Sequence, residues 1–256
     1  MGMSAPVAVV TGAGSGIGRA IARELAGRDF QVVVTDLDPD AARAVADQLD
    51  GAWSAMLDVT RELSATAVAQ GVADRHRRLD VWVSNAGVSQ MAPFTEISLE
   101  QFDRTLAVNL KGVFVCGQVA ARTMRQLGGG GAIVNLASMA GKQGRVPFLA
   151  DYVASKFGVV GLTQAMAFEL AADRIRVNCV CPGYVATPMQ NRELSWEAEL
   201  RGVSAENVRQ MWINDTPMGR LEQPEDVARV VAFLAGQDAA FVTGEAVAVN
   251  GGAFMD

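Results

Sequence analysis

Apolar residues fall along this chain in two alternating kinds of run. Short β-branched runs occupy residues 7–10, 30–35, 53–57, 81–83, 133–136, 175–180 and 246–249. They lack the polar alternation of a half-exposed strand, which predicts strands covered on both faces. Between them, residues 17–26, 41–49, 63–75, 99–127 and 151–172 carry apolar side chains at helical spacing. Strand and helix in alternation predict a parallel sheet wrapped by helices on both sides. Seven strands of this kind make a doubly wound α/β sheet, which takes its ligand at the carboxyl ends of the strands. No repeat or linker divides residues 1–256, so they are read as a single domain. The glycine run 128–131 reads as a loop feeding the fifth strand. From Phe157 to Leu170 the helical pattern is apolar nearly all round, which predicts burial on more than one side. A neighbouring subunit or another part of the chain must then cover it.

Composition narrows the possibilities. Half the residues are hydrophobic and 20% are charged, as in ordinary globular proteins. A net charge of −6 argues against a nucleic-acid surface. The basic cluster Arg75-His76-Arg77-Arg78 falls where a helix should end, and there its charge suits the helix dipole. Met1-Gly2-Met3-Ser4 lacks the features of a signal peptide, and Pro6 stands where a myristoylation signal has Ser or Thr. No uncharged apolar run reaches the ~18 residues of a membrane span, so no membrane partner is expected. Cys116, Cys179 and Cys181 sit in apolar runs and make no disulfide framework, which fits a reducing cytoplasm. With one histidine, His76, in an arginine run, a Ser-His-Asp hydrolase and a multi-histidine zinc site are both excluded. No metal is expected.

Three stretches carry chemistry. TGAGSGIG, residues 11–18, follows the first strand directly and opens a helix. Its glycines allow a tight turn and bring backbone N–H groups to a pyrophosphate at the helix N-terminus. Asp36 ends the second strand 18 residues beyond Gly18. A carboxylate there accepts from adenosine ribose hydroxyls and repels a 2′-phosphate, and no cation follows in DLDPD to bind one. Asp38 is the better placed of the two to cap the next helix. In ADYVASKFGVV, Tyr152, one of two tyrosines, stands four residues before Lys156. On a helix such a pair shares one face, roughly 5–6 Å apart at Cβ. A structural tyrosine needs no cation; one that exchanges a proton does.

These residues resemble the short-chain dehydrogenase/reductase family, over essentially the whole chain. TGAGSGIG is similar to its coenzyme turn, with Gly12, Ser15, Ile17 and Gly18. LDV, with Asp58 and Val59, is similar to its adenine-contacting turn. SNAG, with Asn85, Ala86 and Gly87, resembles its NNAG signature, with Ser84 replacing the first asparagine. VNLKG supplies Asn109, IVNLAS ends in Ser138, and YVASK holds Tyr152 and Lys156. PGYVAT, with Pro182, Val185 and Thr187, resembles the loop that grips the nicotinamide; PEDVA and VNGG follow. The resemblance implies a Rossmann-type fold, NAD as coenzyme, and a lid over the substrate at about 188–218. One departure is visible: Ser138 lies fourteen residues before Tyr152, one more than the family's usual spacing. The extra residue should fall in the loop 139–149, which lines the substrate pocket.

By the same resemblance Tyr152 takes a proton from an alcohol while the carbinol hydrogen leaves as hydride. Ser138 holds the substrate oxygen, Lys156 also binds the nicotinamide ribose, and Asn109 passes the proton on through water. A free phenol has a pKa near 10. The Lys156 ammonium and the positive nicotinamide are expected to lower it. Candidate substrate residues are Gln143, Phe148, Tyr184 and Met189, with Trp196 and Trp212 as lid or packing residues. The pocket should offer no obvious cation apart from Arg145, which favours a neutral polyol, sugar alcohol or small diol. A 3-oxoacyl-thioester reductase is the alternative, against which Asp36 speaks; a non-catalytic coenzyme-binding module is the third class. A homotetramer is expected, paired through the 151–172 helix and the C-terminal region.

Overall fold

The computed structural model describes residues 5–255. Met1-Gly2-Met3-Ser4, on which the signal-peptide reading rested, lies outside them. Seven strands form one parallel sheet: β1 (Val7–Val10), β2 (Gln31–Asp36), β3 (Trp53–Met56), β4 (Val81–Ser84), β5 (Gly131–Leu136), β6 (Ile175–Pro182) and β7 (Ala246–Val249). Their spatial order is β3-β2-β1-β4-β5-β6-β7, so the direction of winding reverses between β1 and β4. The register runs Val7 beside Gln31 and Ala8 beside Val81.

The doubly apolar strands are explained by the two cores. Ala8, Val10, Val32 and Val34 point to one side, against α1 (Gly16–Ala26), α2 (Pro39–Ala46) and α9 (Pro224–Ala235). Val7, Val9 and Val33 point to the other, against α3 (Glu62–His76), α5 (Gly112–Leu127) and α6 (Ala150–Leu170). Helix α9 was not among the helical runs read from the sequence. Pro224 at its first turn and a reciprocal Gln223–Asp226 capping box start it.

Two differences from the sequence pattern matter. The run 99–127 is not one helix: α4 (Leu99–Leu106) passes through a wider π turn, Ala107–Lys111, before α5 begins. That turn carries the fully buried Asn109. The other concerns α6. Its buried face is formed by Ser155, Val159, Thr163, Ala167 and Leu170. Phe157 and Phe168 on the opposite face are 45% and 89% exposed. Nothing among the described residues covers these two side chains, contrary to one of the two expectations.

Beyond β6, α7 (Pro188–Arg201) and α8 (Ala205–Asn214) form a separate layer around Ala198, Val208, Trp212 and Leu221. The basic cluster is structurally engaged. His76 accepts from the Trp53 indole, Arg75 lies 4.3 Å over that ring, and Arg78 pairs with Asp80. The three cysteines are free and buried. Among the described residues no helix is long and apolar enough to cross a membrane.

Candidate active site

A cleft of about 550 Å³ opens at the carboxyl ends of the strands and includes residues that follow β1 and β4, where the winding reverses. One half is built largely from backbone. Gly12 takes φ 61°, and a Cβ there would stand 2.8 Å from the Ala86 Cα. At Gly18 a Cβ would strike the Gly12 carbonyl and the Asn85 amide, so this glycine lets α1 dock against the turn. Thr11 ties the two strand ends together, its hydroxyl accepting from the N–H groups of Asn85 and Ala86. The Asn85 side chain returns two bonds, to the carbonyls of Thr11 and Gly12. Ser15 caps α1 without a side-chain bond, which leaves the helix's first N–H groups directed at the cleft lined by Gly16 and Ile17.

Asp36 lines the same half. One carboxylate oxygen accepts from Gly14 N–H at 2.9 Å and the other from Asp38 N–H at 3.1 Å. Asp38, not Asp36, caps α2. Asp58 accepts from the backbone and hydroxyl of Thr60, and Val59 stands beside it on the cleft wall. A glycine cradle, an uncapped helix end and a carboxylate beyond the second strand fit a dinucleotide.

At the cleft's centre α6 delivers Tyr152 and Lys156 from adjacent turns, and Ser138 follows the end of β5. The Ser138 hydroxyl is hydrogen-bonded to the Tyr152 phenol. Lys156 donates to the Leu136 carbonyl at 2.8 Å, and its Nζ lies 5.4 Å from the Tyr152 ring centroid. Burial lowers the Lys156 ammonium to about 8. Burial also holds the Tyr152 phenol above its ordinary value, and the Glu193 carboxylate adds to this. The Ser138 bond acts the other way. The expected lowering of the phenol by the Lys156 ammonium is not seen; the ammonium donates to the Leu136 carbonyl instead.

Asn109 stands one layer behind the cleft. Its amide oxygen accepts from Val88 N–H while its nitrogen donates to the Val88 carbonyl and to the Ser155 hydroxyl. Ser155 in turn donates to the Tyr152 carbonyl. Asn109 thus couples the wall after Gly87 to the helix that bears Tyr152. Ser84 fits its position less well: its buried hydroxyl has no partner where the family signature has an amide.

The family comparison covers nearly the whole chain. A family model described as Enoyl-(Acyl carrier protein) reductase matches residues 12–253. The human (3R)-3-hydroxyacyl-CoA dehydrogenase is 40% identical over 261 residues, covering 97% of this chain and 96% of that protein. D-threitol dehydrogenase of Mycolicibacterium smegmatis is 38% identical over 250 residues, covering 96% and 92%. Among solved structures, sorbitol-6-phosphate 2-dehydrogenase from Erwinia amylovora superposes with a TM-score of 0.93 at 35% identity, over 97% of this chain and all of that one.

The chain belongs to the short-chain dehydrogenase/reductase family. It is an oxidoreductase acting on alcohol hydroxyl groups, in a family that uses nicotinamide coenzymes. The rest of the cleft lies under α7. Tyr184 and Met189 line it, together with Val146 and Leu149, whereas Gln143 and Phe148 lie outside the lining. Phe148 takes φ 63°, rare for an aromatic residue, and its ring packs under the Arg201 guanidinium. Trp212 is buried in the lid, stacked on Tyr184 at 5.3 Å and donating to Glu197; neither it nor Trp196 lines the cleft. Arg104, Arg192 and Glu193 do. The expectation of no obvious cation apart from Arg145 is therefore corrected: Arg104 and Arg192 line the cleft, and Arg145 does not. Helical spacing held the clue: Met189, Arg192 and Glu193 stand at i, i+3 and i+4 of a helix that starts beside the nicotinamide loop.

Proposed function

We propose that this chain is an NAD-preferring dehydrogenase that oxidises a secondary alcohol flanked by a further hydroxyl, such as a polyol, sugar alcohol or small diol. Asp36 carries the coenzyme preference. Its carboxylate is fixed at the cleft by two backbone donors, and no cation follows it before Arg43, which is paired with Asp40. A 2′-phosphate would meet an anion there and nothing to neutralise it.

The chemistry then follows from the three central residues. Ser138 donates to the substrate oxygen and holds it against the phenol. Tyr152 takes the hydroxyl proton as general base. The bound nicotinamide would accept the carbinol hydrogen as hydride and supply the positive charge that favours phenolate. The chain's own groups hold the phenol up, so that contribution is needed for Tyr152 to act near neutral pH. Lys156, already anchored on Leu136, stands where a ribose hydroxyl would reach it. Asn109 keeps Val88 and Tyr152 in register.

A second reading, oxidation of a 3-hydroxyacyl thioester, is favoured by Arg104 and Arg192 on the cleft, because cations there suit a phosphorylated thioester carrier. The two readings separate in one assay. Purified protein is followed at 340 nm with NAD or NADP against neutral polyols, diols and hydroxyacyl thioesters. Comparable kcat/KM with both coenzymes overturns the NAD reading, and faster turnover of thioesters replaces the polyol one. The uncovered face of α6, with Phe157 and Phe168, supports a homotetramer built on a two-fold helix pair, with the C-terminal region as a second contact. Sedimentation as a monomer at micromolar concentration would refute it.

A further inference from the structure

The inner row of α7 runs Met189, Glu193, Glu197, one residue per turn. Glu197 turns into the lid, where it accepts from Trp212 and Arg201. Glu193, one turn earlier, lines the cleft instead, and its carboxylate acts electrostatically on Tyr152. Ser89 lies beside it, on the segment that Asn109 holds through Val88. The Ser89 hydroxyl is buried and bonds the Glu193 carboxylate, with no other partner among the described residues. A carboxyl that faces the cleft with only this hydroxyl beside it is costly unless something completes its bonding. Around them the wall is apolar: Val88, Met139, Val146, Leu149 and Met189.

We propose that Glu193, held by Ser89, forms a second polar subsite, which receives a neutral hydroxyl on the carbon next to the reacting carbinol and discriminates against a carboxylate there. The inference rests on the dehydrogenase reading and deepens it. A hydroxyl both donates and accepts. It donates to an ionised Glu193 and accepts from a protonated one, while Ser89, which does not line the cleft, keeps the carboxyl in place. A substrate carboxylate would meet like charge whenever Glu193 is ionised. The charged groups that act on Glu193 are Arg192, which draws it toward ionisation, and Glu197, which opposes that. Burial opposes it most strongly.

The test compares three four-carbon alcohols with saturating NAD: butane-2,3-diol, butan-2-ol and 2-hydroxybutyrate. The wild-type protein should prefer the diol to butan-2-ol by about tenfold or more in kcat/KM, as a charged hydrogen bond is worth that much. Glu193→Ala should lower kcat/KM for the diol about tenfold more than for butan-2-ol, with NAD affinity unchanged by titration. Glu193→Gln, which keeps shape and polarity, should retain part of the diol preference and relax discrimination against 2-hydroxybutyrate. Both variants should move the acid limb of the butan-2-ol pH profile to lower pH, because a carboxylate acting on Tyr152 is gone. A purely structural Glu193 would lower all three substrates alike and leave the limb in place, which overturns the subsite. A wild-type protein that oxidises alcohols without diol preference also overturns it, and leaves the dehydrogenase reading standing. One that oxidises no alcohol overturns both.

Discussion

The coenzyme half and the substrate half of the cleft are made of different material. In the first, backbone does the work: Gly12, the uncapped start of α1 and the strand ends tied by Thr11 and Asn85. In the second, α7 hangs side chains over the opening, held to α8 by a small cluster around Trp212. A backbone cradle needs glycine at a few positions and tolerates little else. A side-chain lid needs only a helix of the right length, and its inner row is free to vary. The coenzyme half should therefore respond to substitution in coenzyme binding, and the lid in substrate choice.

The largest effect should come where the halves meet. Tyr152→Phe is expected to lower kcat by about 10²–10⁴, the usual worth of general base catalysis. NAD affinity, measured by titration, should remain. Retention of a tenth of wild-type kcat would remove Tyr152 from that role.

Asp36→Ala probes the coenzyme half alone. It should narrow the preference for NAD over NADP by about 10–100-fold, the range for hydrogen bonds to a charged group. The ratio of kcat/KM for the two coenzymes measures this; an unchanged ratio would place the discrimination elsewhere.

Trp212→Ala probes the lid. It removes the stack on Tyr184 and the bond to Glu197. The expected result is a rise of roughly fivefold to tenfold in substrate KM, about 1 kcal/mol, with NAD affinity within twofold. Equal damage to both would mean that the two halves form one unit.

The smallest effect concerns the seam. Glu222 accepts from Gly183 N–H, while its backbone bonds Tyr184 and Ala186 of the nicotinamide loop. Burial raises its carboxyl to about 8, from 4.5. The folded protein then binds more protons than the unfolded chain between those values. Stability is highest below the ordinary carboxylate value and falls as pH rises toward about 8. Glu222→Gln should flatten this decline, seen as a smaller change of Tm between pH 5 and pH 8, by roughly 2–4 °C for each kcal/mol of linkage lost. Parallel pH profiles would show that Glu222 is ionised in the folded state.

How much was legible in the sequence follows the same division. The strands came through because the central ones are apolar on both faces and buried, while the edge strands β3 and β7 are partly exposed. TGAGSGIG, Asp36 and the Tyr152–Lys156 spacing were legible because each function depends on neighbours close in the chain. The break in the run 99–127 was not, since a π turn leaves the apolar spacing nearly intact and shows itself only when Asn109 bonds Val88. Which of the two expected partners covers the outer face of α6 was not legible, because composition tells how apolar a helix is, not which part of the fold reaches it.

The sequence by itself determined the doubly wound sheet, the place of the coenzyme turn and the identity of the central Ser138, Tyr152 and Lys156. Periodicity and spacing are local and carried the sheet, the turn and the Tyr152–Lys156 pair, while Ser138 came from the resemblance to the family. Only the tertiary structure decided that Lys156 donates to the Leu136 carbonyl, that Arg104 and Arg192 reach the cleft, and that Glu193 bonds Ser89 and acts on Tyr152 through its charge. Those relations join residues tens of positions apart through the packing of α4, α6 and α7. Charge and burial act through space, and a chain read in order carries no record of distance.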